Sequence, residues 1–405
     1  MKESIVIKNL GPLKDIFIED IKPFTILVGE SGSGKSTLMK CISLFRYAFK
    51  MENIKSYLKH SKISKSPFRF HIDKRFKNSG LDEFIKPNTI IIYTVTFENG
   101  ETVQIKYADK KLNRTNFISA NNLHFTKISF ITENRNIIPL WASNSASLAG
   151  AYLGFYFHEV YKDFELASDT LKTINLDHVG LKFVVKKTNK GKEYFIESKN
   201  EKDFEIKFKN SSSGTQSSAP ITLISKYFTS KFDFEDAFNR SVLSYLSSVD
   251  RLTDFRPVKN LSELNKKIYI HIEEPELSLY PDAQFRLMEE LVKDCFNTNE
   301  NDTNLFISTH SPYIINHLNL MIKSFEKNVD GAAKYDYNKL AVYQVSDGKL
   351  QDLMVQNEKL VNTNPLSDTI NAIYDKYNDL CSSIYVLFAY RLQYSIFQRT
   401  ERFWR

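Results

Sequence analysis

Two short stretches carry residue types whose spacing could do chemistry on a phosphate. The first, Gly29-Glu30-Ser31-Gly32-Ser33-Gly34-Lys35-Ser36-Thr37, fits GxxxxGK[ST] and lies between the apolar run "FTILV" and a helical segment. Its glycines free backbone N–H groups to wrap phosphate oxygens, and the following helix turns its positive end toward them. Lys35 reaches the β and γ phosphates, and the Ser36 hydroxyl is a ligand for Mg²⁺. The second stretch, "IYIHIEEPELSLYP", runs an alternating apolar strand into Glu273 and Glu274 and turns on Pro275. Hydrolysis beside a phosphate loop needs one acid to hold Mg²⁺ through water and another to orient the attacking water. Adjacency on a rigid strand end points the two carboxylates differently, which suits Glu273 and Glu274 to those two tasks.

Two weaker stretches join them. His310, in "STHSP", follows another apolar run and so stands at the C-terminal end of a strand, where open α/β sheets bind ligands. "SSSGTQSS", which holds Ser212, Ser213, Gly214 and Gln216, is rich in N–H and hydroxyl donors and reads either as a phosphate-binding segment or as a linker. Between residues 50 and 77, nine Lys or Arg face two acids, with Tyr57, Phe68, Phe70 and Phe76 interleaved. That run reads either as a nucleic-acid surface or as a solvated helix and loop.

The elements that must position these residues follow from periodicity. Strand, turn and strand precede the phosphate loop, and a helix follows it from Leu38 to about Phe49. "NTIIIYTVTFENGETVQIKYA" predicts a hairpin turning at Asn99-Gly100, within a β-rich subdomain. "SASLAGAYLGFYFHEVYKDFELASDTLKTI" has helical spacing, and "LKFVVKKT" and "EYFIES" flank a turn at "NKGK". Residues 230–265 give no regular signal. From Lys266 onward, strands alternate with helices, which implies a largely parallel sheet, and a last hairpin turns at Asp347-Gly348 before a helical tail from Leu366. The expected fold class is α/β: a mixed or parallel central sheet with a β-rich N-terminal subdomain and a short helical and β insertion. The expected divisions are 1–145 for an N-terminal lobe, 146–205 for the insertion, 206–355 for a C-terminal lobe and 356–405 for the tail.

Composition allows this. A chain of 405 residues, 42% of them hydrophobic, can bury one large core or two, and a net charge of +7 permits an acidic partner without requiring one. The cysteines, Cys41, Cys295 and Cys381, are dispersed and form no CxxC pair, so neither a disulfide framework nor a zinc site is expected, which fits a reducing cytoplasm. The N-terminus lacks the apolar core of a signal peptide and no window approaches the length of a membrane span, so no membrane is expected as a partner.

In this order the motifs resemble the ATP-binding-cassette type of P-loop ATPase, over roughly residues 1–350. On that resemblance, Gly29 to Thr37 is similar to the Walker A loop, Ile268 to Glu274 to Walker B with the catalytic glutamate, and His310 to the switch histidine. Ser212, Ser213, Gly214 and Gln216 resemble the signature, which usually reads LSGGQ. Glu273 stands where aspartate is usual, although "EEPE" is typical of the OLD and RecF-like branch; Ser213 replaces the signature's first glycine. The resemblance implies ATP and Mg²⁺, with Asn134 of "ISFITENRNIIP" as the metal-sensing residue and Arg135 its neighbour. It also implies a homodimer or higher homo-oligomer, in which two domains face head to tail and Ser212 and Gly214 act in trans.

About 180 residues separate Lys35 from Ser212, more than a compact transporter cassette shows, and there are no heptad coiled coils as in chromosome-maintenance ATPases. About 95 residues follow His310 and contain no DxD pair, so the Toprim nuclease of OLD enzymes is not expected. The chain thus resembles ATPase subunits of prokaryotic antiviral systems such as Septu and PARIS, which work on a separate effector, a nuclease. The leading expectation is an ATP-hydrolysing sensor and scaffold. One alternative is a RecF-like DNA-binding repair ATPase, and another uses ATP as a slow structural clamp between subunits. The tail "CSSIYVLFAYRLQYSIFQRTERFWR" reads either as a contact site or as packing on the domain.

Overall fold

The computed structural model describes the chain apart from residues 64–69, 115–116, 144–152, 190, 201–203, 244–245, 248–251, 261–262, 298–301, 369 and 382–405. Phe68, the start of the "SASLAG" segment and nearly all of the aromatic tail therefore lie outside the described residues. Residues 1–361 form one compact unit and residues 362–405 another. No helix among the described residues is long and apolar enough to cross a membrane.

A six-stranded sheet carries the site. Its strands are β3 (Phe24–Val28), β7 (His124–Ile131), β12 (Asn265–Glu273), β13 (Asp302–Thr309), β14 (Leu340–Ser346) and β15 (Lys349–Asp352), in the order β15-β14-β3-β13-β12-β7. All run parallel except β15, which returns from β14 through a hairpin with positive φ at Asp347 and Gly348. β3 is buried at every residue, and β12 and β13 nearly so, as strands covered on both faces must be. Helices α1 (Lys35–His60), α4 (Phe155–Thr170) and α5 (Ser213–Ser230) pack on this sheet.

The predicted β-rich subdomain is a five-stranded antiparallel sheet, β2-β1-β4-β5-β6, formed by β1 (Lys2–Leu10), β2 (Leu13–Ile18), β4 (Ile85–Thr96), β5 (Thr102–Ala108) and β6 (Lys111–Arg114). The β4–β5 hairpin turns through a longer loop between Thr96 and Thr102, in which Gly100, and not Asn99, takes positive φ (83°). The insertion is a second antiparallel sheet, β11-β10-β9-β8, of β8 (Thr173–Leu176), β9 (Leu181–Thr188), β10 (Gly191–Ser198) and β11 (Glu205–Lys207). Phe164 of α4 packs against Phe183, Tyr194 and Phe208 of this layer. The shorter helices are α2 (Ile72–Ser79), α3 (Ile138–Ser143) and α6 (Phe234–Phe238), and two more, α7 (Pro281–Val292) and α8 (Pro312–Glu326), follow β12 and β13.

The Ser-rich stretch is not a linker. α5 begins inside it: the Ser212 hydroxyl accepts from Thr215 N–H as an N-cap, which is what a serine ahead of an apolar helix does best. The second unit is helical over 364–368 and 370–381, with Ile370, Ile373, Tyr374, Tyr377 and Leu380 exposed.

One buried network joins the layers. Glu3 of β1 accepts from Arg46 Nε of α1 (2.8 Å), from Tyr93 Oη of β4 (2.7 Å) and from Tyr269 Oη of β12 (2.7 Å). Arg46 Nη1 also lies 3.1 Å from His271 Nε2, and His271 Nδ1 lies 3.2 Å from the Ser129 carbonyl. Burial raises the pKa of Glu3, but Arg46, Lys267 and the Tyr269 hydroxyl outweigh it and hold it near 2, below the ordinary 4.5. A carboxylate with a depressed pKa stabilises the fold in full above about pH 4.5, and that contribution disappears as pH falls toward 2. Arg46→Met leaves Glu3 buried without its cation and should cost about 3–5 kcal/mol at pH 7. Chemical denaturation between pH 7 and 3 checks this, with the variant losing less on acidification than the parent chain.

Candidate functional site

The phosphate loop joins β3 to α1, and Gly34 caps the helix with φ 107°. Gly29 is fixed by close approach: a Cβ there would stand 2.5 Å from the Val345 carbonyl oxygen. Lys35 is buried, and its ammonium donates to the Gly29 and Glu30 carbonyls, both at 2.8 Å, inside the loop's curl. Burial lowers its pKa, with Glu274 and Glu276 opposing. Glu30, Ser31, Gly32 and Ser36 are exposed, whereas Thr37 is buried and Ser33 Oγ is buried without a partner.

β12 delivers Glu273 to the neighbouring strand end. Its carboxylate is almost fully buried, and neither oxygen has a hydrogen-bond donor. Facing it is another carboxylate, Glu133, because the parallel register that sets Ile272 opposite Ile131 brings the end of β12 level with the loop after β7. Burial first, and Glu133 second, push Glu273 above the usual carboxylate range, while Lys40 and Ser36 oppose the shift; Glu133 is held below that range, chiefly by its interaction with the Glu273 carboxyl. Asn134 is exposed, so the structure brings Glu133 to Glu273 and not the asparagine one position on. In the 3-10 turn Glu133–Ile137 successive side chains point about 120° apart, which is why the one-residue difference matters.

Glu274 leaves the strand in the left-handed conformation, φ 45°, uncommon for a residue with a side chain. This turns its carboxylate away from that of Glu273 and toward His310, whose Nε2 lies 3.3 Å from Glu274 Oε1. Glu276, two residues on, is half-buried and accepts from Thr309 Oγ1 (2.8 Å) and the His310 N–H (2.7 Å), so it holds the histidine-bearing turn.

Arg135 ties these parts together. Fully buried, it donates to the carbonyls of Thr132 (3.0 Å), Ser217 (3.0 Å), Glu273 (2.6 Å) and Glu274 (2.6 Å). Burial brings its pKa down to about 10, with Glu276 foremost among the acids that oppose the shift, so it stays charged at neutral pH.

Ser212 and Ser213 are exposed at the start of α5. Gly214 is pressed against the turn after the twin glutamates, where a Cβ would stand 2.6 Å from the Ser278 carbonyl oxygen. Gln216 works within its own chain, donating to the Lys209 and Ser211 carbonyls at 2.9 and 2.8 Å. Among the described residues, no hydrogen bond joins the 212–216 segment to the phosphate loop.

Sequence reasoning missed Glu133 and Glu276. Both follow the rule that singled out Glu273, an acid just past an apolar strand, but the pairing of β7 with β12 that gives Glu133 its neighbour is not local in sequence. No group of three or more His, Cys, Asp or Glu side chains converges on a metal position among the described residues. Mg²⁺ does not need one, since it is commonly held by one or two carboxylates together with substrate phosphates. The orphaned oxygens of Glu273, the facing Glu133 and the Ser36 hydroxyl form an all-oxygen donor set that fits such an ion.

A protein-family model described as "AAA ATPase domain" matches residues 156–315, well under half of the chain. The match spans α5, the twin glutamates and His310. No curated protein matches. Among solved structures, the crystal structure of the SmcHead bound to the C-winged helix domain of ScpA overlays 88% of this chain on 98% of its own, at 11% identity and a TM-score of 0.35, too loose a fit to carry an argument. The matched ATPase domain and the phosphate loop make this chain an ATP-hydrolysing enzyme with a mixed α/β P-loop architecture.

The geometry separates neighbouring residues by experiment. Glu133→Gln should raise the Mg²⁺ concentration needed for half-maximal ATPase rate by about 10- to 100-fold, whereas Asn134→Ala should leave it within about twofold. Arg135→Lys, which cannot fork to four carbonyls, should lower kcat on the order of 100-fold while the circular dichroism spectrum is kept.

Proposed function

We propose that this chain is the ATP-binding and ATP-hydrolysing sensor and scaffold subunit of a prokaryotic antiviral system, and that it regulates a separate effector, a nuclease, through ATP-dependent head-to-tail dimerisation. In this reading the loop from Gly29 to Thr37 holds the triphosphate of ATP, with Lys35 withdrawn from its own loop carbonyls onto the β and γ phosphates. Ser36, Glu273 and Glu133 would hold Mg²⁺, which when bound neutralises phosphate charge. Glu274 orients and deprotonates the attacking water, and His310, braced by Glu276, fixes the Glu274 carboxylate and senses the γ-phosphate.

The observation that carries the composite site is the exposed start of α5. A helix of 18 residues leaves its first N–H groups without intrahelical partners, and here Ser212 and Ser213 offer hydroxyls beside them. That end faces outward, away from hydrogen-bonding contact with its own phosphate loop, and suits the phosphates held by a second copy. The backbone of the same turn is tied through Ser217 and Arg135 to the carbonyls of Glu273 and Glu274, so an ATP bound across two copies would be sensed at both acids. The antiviral setting and the nuclease partner rest on the sequence resemblance alone.

The DNA-binding alternative draws on the basic run at 50–77, and the burial of its aromatics weakens that support. Tyr57, Phe70 and Phe76 are buried in the core and cannot stack on bases, and Lys55 is already paired with Glu52.

Solution mass with and without ATP, on the parent chain and on Glu274→Gln co-expressed with the neighbouring gene product, tests the proposal. An ATP-dependent dimer or larger complex, trapped by Glu274→Gln and retaining the product, is expected. A nucleotide-insensitive monomer that retains no partner overturns it, and salt-dependent DNA binding with DNA-stimulated turnover would favour the alternative.

A further inference from the structure

A cavity of about 420 Å³ opens at the start of β7, far from the phosphate loop. Lys50 of α1, Phe125 and Lys127 of β7, Glu159 and Asp163 of α4, Phe238 at the end of α6 and Arg240 just beyond it contribute to its wall. Lys50 lies 15 residues beyond Lys35 on one helix, so the two ammonium-bearing residues are about 22 Å apart along its axis. Volumes of this size suit small organic molecules.

The polar groups of the wall are not equally engaged. Asp163 is buried and saturated, accepting from Lys127 Nζ at 2.6 Å and from Ser129 Oγ at 2.7 Å. Arg240 pairs with Asp236 at the surface, 2.9 Å away. Lys50 makes no hydrogen bond or ion pair among the described residues. The rest of the wall is largely aromatic, with Phe125 and Phe238 ring centroids 5.0 Å apart. Such a surface has apolar area for a flat body and one half-buried cation, Lys50, that is paired with no acid among the described residues, the Glu159 carboxylate of the same wall being exposed to water.

We propose that this cavity is a second ligand site, for a small organic anion with a flat aromatic body whose acidic group meets the Lys50 ammonium. The cost of keeping Lys50 half-buried points the same way: burial first and Lys127 second bring its pKa down to about 8, while Asp163 and Glu159 only partly offset this. A bound anion would return that loss, because a charge-assisted hydrogen bond in a sheltered site is stronger than one in water. The floor of the site is β7, which ends immediately before the turn that carries Glu133 and Arg135.

The probe is 8-anilinonaphthalene-1-sulfonate, an aromatic monoanion, titrated by fluorescence into the full chain with ADP and Mg²⁺ saturating the phosphate loop. One saturable site is expected. Lys50→Met should weaken it by about tenfold or more, the loss of one charge-assisted hydrogen bond, and Lys50→Arg should keep it within about threefold. Circular dichroism and ADP affinity, unchanged in both variants, exclude misfolding as the cause. No saturable site, or equal affinity in the parent and Lys50→Met, overturns the proposal and assigns the fluorescence to exposed apolar surface such as Tyr374 and Tyr377.

Discussion

The site depends on one buried guanidinium. Arg135 sits beneath the strand ends with no water to solvate it, a position that is costly unless every donor finds an acceptor. It finds four carbonyls from three separate segments: the loop after β7, the first turns of α5, and the two glutamates that end β12. A lysine has one nitrogen and could satisfy this set only in part; the planar fork of arginine can reach all of them. The acids around it, Glu276, Glu273, Glu274 and Glu133, lower the cost of its charge, and its charge in turn makes it tolerable to bring so many carboxylates together. Cation and acids are therefore conditions for one another.

The same contact accounts for the backbone at Glu274. A left-handed φ on a residue with a side chain is held only when neighbours over-determine it. Here the Glu274 N–H donates to the Ser308 carbonyl at 2.8 Å and its own carbonyl receives Arg135. The strain is local, and it separates two adjacent carboxylates: Glu273 continues the strand's alternation into the interior, while Glu274 breaks it and meets His310.

What was legible in the sequence was what is local. The phosphate loop between an apolar strand and a helix, the Asn-Gly and Asp-Gly hairpins, and the acids closing β12 each need only neighbours in the chain, and each is found where the pattern put it. What depends on strand order was hidden. Glu133 belongs beside Glu273 only because β7 lies next to β12 at the sheet edge, across more than a hundred residues of chain. Composition left the serine-rich stretch open between linker and binding segment, since serine disfavours helix interiors but is strongly preferred at the N-cap it occupies at Ser212. It left the basic run open too, and there Tyr57, Phe70 and Phe76 are core residues that happen to be flanked by lysines.

β12 also explains how an acid can be held still in a poor environment for charge. Its residues Tyr269, His271 and Glu273 share one face, at the two-residue period of a strand. The first two are pinned from below, Tyr269 by Glu3 and His271 between Arg46 and the Ser129 carbonyl. Burial and the nearby Arg46 push the pKa of His271 down to about 3, so the ring is neutral, with Nδ1–H given to the carbonyl and Nε2 accepting from the guanidinium. A strand anchored at two successive positions of one face cannot rotate its third away, so Glu273 keeps its place beside Glu133. The N-terminal antiparallel sheet, which contributes Glu3, thereby sets the position of a carboxylate that it never touches. The rigid pair of acids is built wholly within one chain.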